Sequence, residues 1–145
     1  MPTSLPLPDQ ERSFVERYLF SPLYVAHSPW DVVRWWESRR VLYNVTVGAA
    51  GLLTLGWVTF LSLLAPPGWG SGGPPFGAVI AYGLAANVCY SAGAPIDLAL
   101  RRVFGVRGGT VGQALFRYGL AFATGLTLLP IPVLGVLCTL AWIFR

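Results

Sequence analysis

The sequence predicts an all-α integral membrane protein: three transmembrane helices preceded by an N-terminal interfacial amphipathic segment. Three observations predict it. Hydrophobic residues make up 54% of the 145 residues and charged residues 11%, with a mean hydropathy of +0.60. A soluble domain carries about 25% charged residues. The 16 charges are also segregated: Asp97 is the single charge between residues 41 and 100, and none lies between residues 118 and 144. Stretches that apolar cannot form a water-facing surface. The composition excludes a soluble globular enzyme, a nucleic-acid-binding module and a disordered chain.

Residues 1–28 form a tail and a short interfacial helix. Residues 1–8 hold three prolines and no periodicity. In residues 9–20, Phe14, Val15, Tyr18 and Leu19 share one helical face, with Glu11, Arg12 and Glu16 elsewhere. That pattern fits a helix lying on a membrane surface. No cleavable signal is legible here, so the first apolar run is expected to serve as both signal and anchor.

Residues 29–145 form the three-helix transmembrane domain. Ser28-Pro29-Trp30-Asp31 is a helix start, with a capping serine, proline at the first helical position and an acid in the first turn. No breaker follows until Pro66, so one helix is expected from Pro29 to about Leu64. Its first part places Trp30, Trp35 and Trp36 at the headgroup level and offers Arg39 and Arg40 to lipid phosphates. Its second part, residues 41–64, has 24 uncharged residues. Those rise roughly 36 Å, enough for a tilted crossing of ~30 Å of hydrocarbon. Residues 65–75, with four prolines and four glycines, form a loop.

The second span is expected over residues 76–100, followed by a turn at residues 105–109. The third begins near Gln113 or Tyr118 and covers about residues 118–144, kinked by Pro130 and Pro132. A hairpin at these prolines would leave 12 residues for the return, too few to cross. The basic residues predict orientation. All ten are arginine, and Arg34, Arg39 and Arg40 precede the first span. Arg101, Arg102 and Arg107 lie between the second and third, whereas the first loop has no charge. A cytoplasmic N-terminus satisfies this distribution, leaving only Arg145 on the other side.

The second span carries Gly77, Ala81, Ala85, Cys89 and Gly93, small residues at a strict spacing of four. Such a ridge admits another helix backbone closely, because lipid supplies no hydrophobic drive. It is expected to pack within the bundle or against another subunit. Asn44, Asn87 and Tyr90 are candidates for interhelical hydrogen bonds. Asp97 lies four residues before Arg101, a spacing that predicts an ion pair near the wet interface; a role in proton transfer is the alternative.

The chain lacks the groups that membrane chemistry would need. His27 stands alone, and no nucleophile–base pair lies at membrane depth. Neither a metal site nor any cofactor is implied, and no aromatic–basic pattern points to nucleic acid. The stretch RWWESRRVLYNVTVGAAGL, followed after a loop by AANVCYSAGAPID, resembles small, uncharacterised bacterial inner-membrane proteins over residues 34–102. The resemblance implies a bacterial inner-membrane location and a Trp/Arg-rich entry into the first span, and it implies no activity. The expected function is therefore that of a small non-enzymatic accessory or structural subunit. Its partners would be the bilayer, further copies or other membrane subunits. The alternative is an oligomeric channel or transporter with a polar path near Asn87, Tyr90 and Asp97.

Overall fold

The computed structural model describes residues 28–66, 76–104 and 110–144. Those residues form four helices: α1 (Pro29–Leu64), α2 (Phe76–Phe104), α3 (Thr110–Leu128) and α4 (Pro130–Ile143). No strand occurs among the described residues. The tail, the amphipathic segment at 9–20, His27, most of the first loop and the turn at 105–109 lie outside them.

α1 begins as its sequence dictates. Ser28 is extended, Asp31 N–H donates to the Ser28 carbonyl at 3.1 Å, and the Asp31 carboxylate accepts the Ser28 N–H at 2.9 Å. Donors left open at a helix start are thereby satisfied. α2 runs four residues beyond the expected boundary, through Arg101 and Arg102 to Phe104. Cations in a last turn complement the helix dipole, so the basic pair extends the helix instead of ending it. α3 starts at Thr110, close to the earlier of the two expected starts, Gln113, and ahead of Tyr118, because its first turns find a buried place against α1 and α2.

At Pro130 and Pro132 the helix is interrupted only at Leu129. Leu129 keeps helical dihedral angles (φ −52°, ψ −38°), and its N–H donates to the Gly125 carbonyl at 2.9 Å. The direction does not reverse. Phe116 packs on Trp35 near the start of α1, and Trp142 Nε1 donates to the Leu64 carbonyl at its end, at 3.2 Å. Two further α1 side chains flank the interruption: Thr54 Oγ1 donates to the Thr127 carbonyl at 2.7 Å and Trp57 Nε1 to the Ile131 carbonyl at 3.0 Å. Such bonds hold a helix whose own ladder the proline rings interrupt.

Together α3 and α4 make one 33-residue apolar rod, so the fold has three helices long and apolar enough to cross a bilayer. α1 is the shared partner. α2 runs antiparallel to it, with Tyr43 beside Ala86 and Trp36 beside Tyr90 and Asp97. The α3–α4 rod runs parallel to α1. All nine charged side chains among the described residues lie at 31–40, 97–102 and 117, which this topology gathers at one end.

Candidate functional site

The core sits at the charged end. Val32, Trp35, Trp36, Tyr43 and Val47 of α1 meet Tyr90 and Ala94 of α2 and Phe116 of α3. Trp36 lies 5.6 Å from Tyr90 and 6.2 Å from Phe116, both edge-to-face, and Trp35 lies 6.3 Å from Phe116. Edge-to-face pairs of this kind contribute about 0.5–1.5 kcal/mol each beyond area burial. Gly93 makes the cluster possible: a Cβ there would lie 2.5 Å from the Trp36 ring.

This packing divides the Trp/Arg-rich entry into covered and open faces. Trp30 is exposed, but Trp35 and Trp36 are buried in the core. The same holds for Arg39, which is 5% exposed. Its guanidinium stacks 3.8 Å above the Trp35 ring and donates to the Trp35 carbonyl at 3.2 Å. A lipid phosphate cannot reach it. The run WDVVRWWESRR is amphipathic, and its aromatic face turns to α2 and α3. Arg40 lies nearer the surface, bonded to Glu37 at 2.7 Å and to Ser91 at 3.2 Å.

Asp97 departs from expectation in environment. Its ion pair with Arg101 is present, Nε to Oδ1 at 2.8 Å, but Asp97 is 1% exposed. Trp36 Nε1 also approaches Oδ2 at 3.4 Å. On the remaining side stands α3: a Cβ on Gly112 would lie 2.5 Å from Oδ2. The carboxylate thus rests against the first turn of α3, where the helix dipole favours a negative charge. One buried group ties together all three rods, a role the i, i+4 spacing alone did not disclose.

The polar residues do not converge. Tyr90 donates its buried hydroxyl to the Trp36 carbonyl at 2.5 Å. Asn87 turns back to the Gly83 carbonyl of its own helix, and Asn44 is exposed outside the core. Thr46, Thr59, Ser62, Ser91 and Thr139 likewise bond carbonyls four residues back. Backbone capping of this kind removes polar atoms from an apolar environment. Tyr82, not singled out from sequence, shares a 2.6 Å hydrogen bond with Thr127 across α2 and α3. Phe116, 2% exposed, was also not singled out. Its neighbours Arg117 and Tyr118 gave the third span a later expected start.

The small-residue ridge divides. Gly93 packs against Trp36, whereas Gly77, Ala81, Ala85 and Cys89 are exposed along α2. Beside the exposed part, α2 and α3 diverge around an apolar groove of about 320 Å³. Ala85, Cys89 and Gly93 form one wall; Gly119, Phe122 and Leu126 form the other. Its floor is the aromatic core. The groove offers shape and apolar surface, with the Cys89 thiol on its wall.

No family model, curated protein or solved structure matches this chain.

Proposed function

We propose that this chain is a non-enzymatic, three-span protein of a bacterial inner membrane whose role is to pack, by self-association or as an accessory subunit of a membrane complex. The observation that carries the packing role is the open α2 face, where Gly77, Ala81, Ala85 and Cys89 are exposed and Ala85 and Cys89 border a groove that no described element fills. Small side chains there would let a further helix approach closely, which is how spans associate in lipid. Insertion is supported by large apolar side chains exposed around every helix, among them Leu52 (73%), Val88 (69%), Phe122 (72%) and Ile143 (67%). A water-soluble monomer does not carry apolar patches of that extent.

Orientation is proposed from the charged end, which the positive-inside rule assigns to the cytoplasm. Reporter fusions at residues 70 and 145 are expected to behave as exported, and one at residue 107 as cytoplasmic. A cytoplasmic signal at 70 with an exported one at 107 would reverse the proposed orientation.

Packing is tested at Ala85. Cys89 is exposed on the same face and Cys138 is buried, so oxidative cross-linking through Cys89 reports contact between copies. Ala85→Leu is expected to separate the backbones. A lost close contact of about 1.4 kcal/mol corresponds to a roughly ten-fold weaker association. Leu84→Ile, on the neighbouring exposed face, should change little. Equal cross-linking in all three proteins, with no co-purifying subunit lost from Ala85→Leu, would mean that this face meets only lipid.

A further inference from the structure

A second groove lies at the charged end, between the first turn of α1 and the last turns of α2, with a volume of about 570 Å³. Its walls change character along their length. Pro95, Leu98 and Val103 make an apolar lower part, with buried Val32 behind them, and Ser28, Arg101 and Arg102 make the rim. The two arginines are the charged residues lining it. Arg101 spends Nε and Nη2 on the buried Asp97. Arg102 is exposed and belongs to neither ion pair of the described residues. The acids nearby are already engaged: Asp31 accepts the Ser28 N–H, and Asp97 is buried against Trp36 and α3. The net character of the rim is therefore basic.

We propose that this groove binds one anionic phospholipid, with the phosphodiester on Arg102 at the rim and the first part of an acyl chain along Pro95, Leu98 and Val103. The proposal rests on the membrane reading given above. Guanidinium groups donate in a planar fork that matches phosphate oxygens, and basic pockets between spans on the cytoplasmic side are suited to anionic headgroups. Val103 in the apolar part is 75% exposed, so a chain leaving the groove meets apolar surface and not water. An inorganic anion would satisfy the rim and leave this lower part empty. Of the two arginines lining this groove, Arg101 is paired with Asp97, and Arg102 belongs to neither ion pair of the described residues.

The test uses the full chain in nanodiscs of phosphatidylcholine alone or mixed equally with phosphatidylglycerol, with retained lipids counted by native mass spectrometry. Wild-type protein is expected to retain phosphatidylglycerol over phosphatidylcholine, and Arg102→Gln to lower that preference roughly five-fold, the weight of one cation at a membrane surface. Arg34→Gln, exposed on α1 and outside the groove, should leave it unchanged. Equal preference in wild type and Arg102→Gln overturns the proposal. So does equal thermal stabilisation by inorganic phosphate in phosphatidylcholine discs, which would identify a simple anion site. A third overturning result is an Arg102→Gln stability loss of the same size in both lipids with unchanged adducts, as expected if residues preceding Ser28 fill the groove. Failure of the protein to enter nanodiscs would defeat the membrane reading as well; entry without lipid preference defeats only the headgroup site.

Discussion

Asp97→Asn is expected to destabilise the bundle by about 3 kcal/mol, the low end of the cost of removing one partner from a buried ion pair. The low end applies because Arg101 is 14% exposed and retains some access to polar surroundings. An amide keeps the shape of the carboxylate, so Gly112 still fits beside it. What is lost is the charge that holds Arg101 at 2.8 Å and faces the start of α3. Thermal unfolding followed by tryptophan fluorescence checks this directly, since Trp36 borders the site. The double variant Asp97→Asn/Arg101→Gln should recover part of the loss, because no uncompensated guanidinium remains. An Asp97→Asn melting profile identical to wild type would show that the contact contributes nothing to stability. Loss of proton flux in vesicles with that profile intact would revive the transport alternative.

The extent to which this architecture can be read from sequence follows from which forces are local. The start and end of α1 depend on Ser28-Pro29 and on the proline cluster after Leu64, both expressed in neighbouring residues, and they are legible. The three apolar rods are legible too, because length and charge segregation define them. Rotation of each helix about its own axis is not. Trp35, Trp36 and Arg39 have the composition of an interfacial belt, and only the approach of Gly93 and Phe116 turns them inward. In apolar surroundings the hydrophobic pattern carries little information about which face is inside, so close contacts decide. The ridge on α2 illustrates the same point: five equivalent positions in sequence become one covered glycine and four exposed residues. Asp97 was legible as an ion pair from its spacing to Arg101, but its burial came from a third helix.

Phe116→Ala is expected to have the largest effect of a single truncation, about 3–5 kcal/mol, as for other fully buried aromatic side chains. Phe116 is 2% exposed and touches Trp35, Trp36 and Tyr90, which come from two other helices. Those rings cannot collapse inward to fill the space. Trp36 is held between Gly93 and Asp97, and the Tyr90 hydroxyl is fixed to the Trp36 carbonyl. The vacated volume would also join the α2–α3 groove, since Phe116 forms part of its floor. Phe122→Ala is the matched comparison. It removes the same side chain from the same helix, but Phe122 is 72% exposed and its loss should stay within about 0.5 kcal/mol. Melting in the same nanodiscs separates the two cases. Similar losses for both variants would mean that no aromatic core joins the three rods at the charged end. A large loss confined to Phe116→Ala would instead identify this cluster as the principal tie between α3 and the rest of the bundle, with the open α2 face left free for an outside partner.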